Sequence, residues 1–414
     1  METPEANQTS VRRATLAVAS ITNFTTPFAG SSINIAIPHI GTEYHVSASA
    51  VSWVVLIFLI VSAALAIPFG TVADMYGRRP ILKLGIFLFC LTAFLNIFSP
   101  NMPLFLLFRV LQGVGAAMIY ATNTAILVDA WPAEKRGSVM GIAVAAVFTG
   151  SALGPVIGGV ATHTYGWRSL FVLIAASALA ALIMAVLKLP DGKRDRPVEK
   201  VNPAGVILRL FKNRDFTLSN LAAMFNFGAV FAVIYLMSIY LQLGRGFSAD
   251  VAGLIMLSQP LVQAGLSPFT GRLSDRKSPA AIASIGMGLC AAALFMFAFL
   301  GEQTSIVYIT AGLLITGLGV AFFSSPNASL IMGAVESKDY GVASSVMSTS
   351  RMIGQGAGMA LLTIIINAVI GSVPIAEVAP ADIVLNMRIS FPIFGAICLV
   401  GIGFSLKRGT MRKA

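Results

Sequence analysis

Apolar runs long enough to cross a bilayer, at about 20 residues per helical span, recur along the whole chain with short polar breaks between them. They begin near Ala14, Val51, Ile81, Leu104, Val139, Ser169, Phe216, Val251, Ala280, Ile306, Val342 and Ile389. This pattern predicts an all-α membrane protein with twelve transmembrane helices. The first run has no small-residue cleavage site and continues into Asn34 and Pro38, so it reads as a retained helix rather than a leader.

One break is much longer than the rest. Between Lys188 and Phe216 the chain carries Pro190-Asp191-Gly192-Lys193-Arg194-Asp195-Arg196-Pro197-Val198-Glu199-Lys200, then a segment from Ala204 to Phe211 that suits a helix on the membrane surface. The expected organisation is therefore an N-terminal six-helix bundle over residues 1–188, a linker over 189–215, and a C-terminal six-helix bundle over 216–414. The halves repeat. An offset of 204 places Gly113, Gly115, Asn123, Gly137, Gly150 and Gly154 on Gly317, Gly319, Asn327, Gly341, Gly354 and Gly358. Two pseudo-symmetric bundles from a duplication are the expected result.

Composition agrees: 57% of the 414 residues are hydrophobic, 11% are charged, and mean hydropathy is +0.84. The net charge of +11 could signal nucleic acid, but its placement argues otherwise. With the N-terminus inside, only Arg168, Arg245 and Arg388 fall in outer connections. Arg109 and Arg351 lie within helices, and nearly all other basic residues are cytoplasmic. That asymmetry follows the positive-inside rule, so both termini are expected in the cytoplasm and no nucleic-acid partner is needed. Cys90, Cys290 and Cys398 lie inside apolar runs without metal or disulfide spacing, and no cofactor or metal is expected.

The sharpest polar interruption is Gly70-Thr71-Val72-Ala73-Asp74-Met75-Tyr76-Gly77-Arg78-Arg79-Pro80. Its core recurs as Gly271-Arg272-Leu273-Ser274-Asp275-Arg276-Lys277, at an offset of 201. Asp74 and Arg78 stand one helical turn apart and can pair, with Asp129, Glu134 and Arg136 as candidate partners. Such pairs contribute about 1 kcal/mol when partly exposed, enough as a cluster to bias a balanced two-state equilibrium. The alternative is that they only anchor a tight turn. Gly150, Gly154 and Gly158 recur every four residues, with Pro155 and Gly159 among them. This gives α-helical packing a smooth face and a kink.

These motifs resemble the major facilitator superfamily over essentially the full chain. The Gly-x-x-x-Asp-x-x-Gly-Arg-Arg turn is the most specific. Arg109-Val110-Leu111-Gln112-Gly113-Val114-Gly115 is similar to the fourth-helix motif, and Gly150 to Gly159 to the antiporters' fifth-helix motif. Asn34-Ile35-Ala36-Ile37-Pro38, Trp53 and Ser350-Arg351 are similar to the multidrug efflux (drug:proton antiporter) branch, although this chain lacks that branch's two extra central helices. The resemblance implies export by alternating access, with the charged turn stabilising the outward-open state. Where that branch carries an aspartate five residues before the Asn-Pro stretch, this chain has Ala29.

Within the membrane the charges are one-sided. Arg109 and Arg351 lie in helices, where an uncompensated guanidinium costs several kcal/mol, so each must face a wet cavity, a partner, or backbone carbonyls with Asn and Gln. All seventeen acids fall at a terminus, in a loop or at a helix end. His39, His45 and His163 lie near the outer face, with His39 the best placed to titrate. A positive cavity without a carboxylate suggests a substrate with an anionic group, or transport down the substrate's own gradient. Candidate cavity residues are Asn34, Arg109, Gln112, Asn226, Tyr235, Gln259, Asn327 and Arg351, with Asn23, Thr25, Thr26, Gln263 and Gln355 as further polar positions.

The expected function is export of small amphipathic organic compounds. A facilitator or exchanger of organic anions not coupled to protons is the alternative, and a transporter-like sensor is a third reading. No phosphate-binding glycine loop for ATP and no clustered catalytic constellation is present, so the chain does not read as an enzyme. Expected partners are a small-molecule substrate and the lipid bilayer. Protons stay open as the coupling ion, and the expected state is a monomer in a prokaryotic cytoplasmic membrane.

Overall fold

A computed structural model describes residues 4–190, 203–336 and 339–407. The helices are α1 (Pro4–Glu43), α2 (Ala48–Tyr76), α3 (Arg78–Ile97), α4 (Met102–Ala130), α5 (Ala133–Tyr165) and α6 (Arg168–Lys188), then a short α7 (Pro203–Lys212). The second half holds α8 (Arg214–Ile239), α9 (Ala249–Met256), α10 (Ser258–Arg276), α11 (Pro279–Phe297), α12 (Ile306–Gly333), α13 (Tyr340–Val369) and α14 (Pro380–Leu406). Counting α9 with α10 as one broken span and α7 as none, twelve helices cross the membrane in two six-helix bundles. The polar run 191–202 of the expected linker lies outside the described residues.

Among the described residues, eleven spans are long and apolar enough to cross a membrane by length and composition. The exception is α1, which carries Thr22, Asn23, Thr25, Thr26, Ser31, Ser32 and Asn34 along its middle. Its threonines return their hydroxyls to their own helix, as Thr22 Oγ1 does to Val18 O at 2.9 Å and Thr26 Oγ1 to Thr22 O at 3.0 Å. This lowers the cost of burying them. The helix also begins earlier than its apolar run, at Pro4 rather than near Ala14.

Start signals are local. Ser47, Asn101 and Ser305 accept hydrogen bonds from Ala50 N, Leu104 N and Tyr308 N at the first turns of α2, α4 and α12. Gly77, at φ 102°, turns the chain between α2 and α3 in a region where a side chain would be strained.

The duplication appears as matched contacts. A Cβ on Gly150 or Gly154 of α5 would strike Phe24 O or Ser31 Oγ of α1, and one on Gly354 of α13 would strike Met224 O of α8. Gly85 meets Gly115 between α3 and α4, as Gly286 meets Gly319 between α11 and α12. Asn123 Nδ2 donates to Ala19 O and Asn327 Nδ2 to Ser219 O, each at 3.3 Å. Small residues thus set the close helix approaches that apolar burial cannot drive in lipid.

The two membrane faces differ in charge. Arg12, Arg78, Arg79, Lys188, Arg209, Lys212, Arg276, Lys277 and Lys407 lie on one face, the basic face, and Arg168, Arg245 and Arg388 on the opposite face. On that opposite face Glu43 clamps Arg168 at 2.5 Å and accepts from Trp167 Nε1 at 2.7 Å, fastening α1 to α6. Tyr44, between α1 and α2, donates to Ser99 O at 2.9 Å. Burial raises its phenol above the ordinary tyrosine value, against the Ser99 hydrogen bond and the Arg168 charge, and keeps it a donor.

Candidate functional site

The halves are stitched together on the opposite face. Ser238 Oγ donates to Asn34 O at 2.5 Å and Gln242 Nε2 to Ile35 O at 3.0 Å, so α8 closes on α1. Gln242 sits in a π-helical turn, Tyr240–Gly244, which redirects its side chain from the α8 register. Ser52 and Thr363 share a hydrogen bond at 2.8 Å between α2 and α13, and Ile375 N donates to Val46 O at 3.0 Å. A Cβ on Gly159 would strike Ala249 O, and one on Gly253 would strike Pro155 O, so α5 and α9 touch backbone to backbone. His163 Nδ1 lies 3.9 Å from Asp250 Oδ1 across the same seam.

Toward the basic face, Arg12 donates to Ala130 O within the first half and Arg209 pairs with Asp339 within the second. The charged turn lies there wholly within the first half. Arg78 reaches Asp74 Oδ1 at 3.1 Å and Asp129 Oδ2 at 2.8 Å, and Arg79 Nη1 donates to Pro190 O at 2.9 Å. The latch thus ties α2, α3, α4 and the end of α6 together. Gly70 has open space around it rather than a neighbouring helix. The side chains of Asp275, Glu134 and Arg136 lie outside the described residues.

Because the latch is made within the first half alone, any bias it gives toward closing the face must come from added contacts with the second half. With that role, Asp74→Asn is expected to lower the population closed on the basic face by up to about fivefold, the equivalent of about 1 kcal/mol for an exposed pair. Spin-label distances across the face measure this; an unchanged distribution would leave the turn-anchor reading.

Below the seal, α4 and α13 meet at mid-depth. Arg351 is half-buried, with its guanidinium 4.9 Å above the Phe227 ring of α8. Tyr120 of α4 lies within electrostatic reach of Arg351 and beside Thr26 of α1. Ala63, Ala66 and Met352 pack beneath Tyr120. Four helices from both halves therefore converge on one cation and one hydroxyl. Ala29 is buried in α1, and every described acid lies at a helix end or in a connection, so no carboxylate joins this cluster.

The other expected cavity residues are placed differently. Arg109 is 1% exposed. Its Nε donates to Val54 O at 3.0 Å, its Nη1 to Gln112 Oε1 at 2.6 Å, and it stacks on Phe58 at 4.4 Å. It is a clasp between α2 and α4. Gln112 is fully buried as its partner, and Asn327 serves as the α8–α12 tie described above. Asn226 is buried inside the second bundle beside Cys290, and Tyr235 is buried with its hydroxyl unbonded. Asn34 donates to Gly30 O at 2.8 Å while its own carbonyl receives Ser238, so it belongs to the seal. The Gln259 backbone carbonyl packs on Gly317. Tyr120 and Phe227 are the residues that sequence reasoning missed; a polar-tipped aromatic at the middle of a span was the available signal for Tyr120.

Arg109→Met is accordingly expected to cost about 2 kcal/mol through its lost charged hydrogen bonds and to lower the melting temperature by several degrees. The Arg351 site should keep its ligand affinity in that variant. Thermal unfolding in detergent with a parallel binding assay checks both.

Two duplicated bundles, joined toward one face above a partly buried polar cluster, have the architecture of a membrane transporter of the alternating-access type. The chain belongs to the Major Facilitator Superfamily, whose sequence profile matches residues 19–359. It is 27% identical to the riboflavin transporter RibZ of Clostridioides difficile (strain 630), over 84% of this chain and 87% of that protein. It is also 27% identical to the multidrug resistance protein Stp of Mycobacterium tuberculosis (strain CDC 1551 / Oshkosh), over 80% of this chain and 71% of that protein. Its fold is similar to a bacterial homolog of the human lysosomal transporter Spinster, in an inward-facing and unoccupied conformation, with a TM-score of 0.77 and 20% identity over 98% of this chain and 97% of that one. The family is one of transporters that bind small molecules within the membrane.

Proposed function

We propose that this protein exports small amphipathic organic compounds across a bacterial cytoplasmic membrane, loading them from the cytoplasm at the Arg351, Tyr120 and Phe227 cluster. The carrying observation is that a partly buried cation of the second half, resting on Phe227, meets Tyr120 of the first half at mid-depth, below the face where the halves are stitched together. Placing the basic face in the cytoplasm, with both termini there, rests on the positive-inside rule. That face then takes up solute from within, and Phe227, Tyr120 and Met352 offer surface that adapts to varied apolar bodies. The multidrug relatives support export, and the riboflavin relative supports a flat organic solute.

A second reading has its own observation. Arg351 has no acid at its depth, so an organic anion would neutralise it, and the protein would act as a facilitator or exchanger without proton coupling. Proteoliposome flux with and without an imposed pH gradient, over cationic, neutral and anionic aromatic compounds, separates the two. Gradient-driven movement of cationic or neutral compounds supports export. Gradient-independent exchange of anions supports the second reading, and ligand binding without any flux would overturn both.

A further inference from the structure

The short helix α7 has more apolar surface than the bundle beneath it uses. One side is fully occupied: Val206, Ile207 and Leu210 pack against Phe216, Ile331 and Val346. Arg209 pairs with Asp339, just before α13, at 2.7 Å, and Asn213 Nδ2 donates to Ala334 O, just past α12, at 2.8 Å. Helix α7 is therefore fastened to the ends of α12 and α13 as well as to α8.

The other side is only partly covered. Leu208 is 68% exposed, and Phe211, one turn on, has one edge against the Phe216 ring at 5.6 Å yet stays 41% exposed, with Lys212 and Arg214 exposed beside them. From Pro203 to Arg214 the chain holds three cations and no acid. The chain bends at Asn213, so α7 does not continue α8 into the bilayer, and it lies level with the α12–α13 connection at the membrane boundary. An exposed apolar pair flanked by cations at that level is complementary to anionic headgroups above an acyl layer. A soluble partner would meet the same pair only after the bilayer edge had been displaced from it.

We propose that α7 binds anionic phospholipid of the leaflet at the basic face. Leu208 and Phe211 lie in the acyl boundary, and Lys212 and Arg214 pair with headgroup phosphates. Arg209, held by Asp339, passes this attachment to α12 and α13, so the second half is moored to the leaflet whichever solute is carried.

The test uses the full-length protein with Leu208→Trp, reconstituted in phosphatidylcholine alone or mixed with phosphatidylglycerol, with acyl-brominated lipid as quencher and the parent spectrum subtracted. A blue-shifted, quenched indole is expected, with phosphatidylglycerol preferred by roughly fivefold per cation at low salt. Lys212→Gln with Arg214→Gln should abolish that preference. A water-exposed, unquenched indole in both lipids would overturn the proposal, and so would equal quenching in both lipids with the cations intact. Phe211→Trp repeats the test should the first variant fold poorly.

Discussion

Gly159→Val is expected to hold the opposite face open. A Cβ at Gly159 meets Ala249 O, with the Asp250 Cα at 3.0 Å, and the reciprocal Gly253 meets Pro155 O, so both sides of the contact are backbone. A backbone carbonyl cannot swing aside as a side-chain tip can. The halves must separate, at an overpacking cost of about 1–3 kcal/mol or more, and only the state in which they touch bears it. The equilibrium then moves by roughly five- to 150-fold toward opening on that face. Ser238→Cys, in a background without the three native cysteines, should react faster with an impermeant thiol reagent from that side. Transport should slow, because each cycle needs the face to close. An unchanged reaction rate would show that this seam does not close the face. Gly154→Val gives a useful contrast: it faces Ser31 and Ser32 within one bundle, so it should reduce folded yield in both states rather than shift between them.

Arg351→Gln is expected to lower flux at least tenfold with little loss of stability. The guanidinium rests on the Phe227 face and pairs with no described acid, so its removal leaves no buried carboxylate unpaired. With the proposed contact between Arg351 and the solute, removing the cation costs about 1.5–3 kcal/mol of binding, roughly ten- to 150-fold. Arg351→Lys keeps the charge but loses the planar stack and should be intermediate. Flux of any compound the parent protein carries, with melting temperature in parallel, checks this; normal flux in Arg351→Gln would move the site elsewhere. The two arginines should therefore separate by their readouts, Arg109→Met losing stability and Arg351→Gln losing flux.

Depth along a helix was legible in the sequence, and direction around it was not. Counting residues placed Arg109 and Arg351 inside spans, yet only the packed helices reveal that Arg109 points into the α2–α4 contact. That contact is set by Gly113 approaching Phe58 O at 3.1 Å from its Cβ position. The same limit hid Phe227, which meets Arg351 across two helices of one half, and Tyr120, which meets it from the other half. Glycine spacing was more informative, because a glycine stripe encodes a close approach whatever its partner, and Gly150 with Gly154 and Gly354 with Gly358 make equivalent contacts in the two halves. The break between α9 and α10 at Leu257 had its signal in Pro260, which has no N–H to give the Met256 carbonyl, whereas the π turn of α8 differs from an ordinary turn only in its backbone hydrogen bonding. The polarity of α1 was visible as threonines and asparagines, but which of them face helix neighbours required the fold.

Rocking of the two bundles is tested most directly by spin-label distances in a lipid bilayer. One pair, Tyr165→Cys with Glu302→Cys, spans the opposite face, and a second pair, Tyr76→Cys with Arg276→Cys, spans the basic face. In Gly159→Val the first distance should lengthen while the second shortens. Lengthening of the first with no change in the second would contradict rigid exchange between the two openings, and with it the placing of one solute site between them.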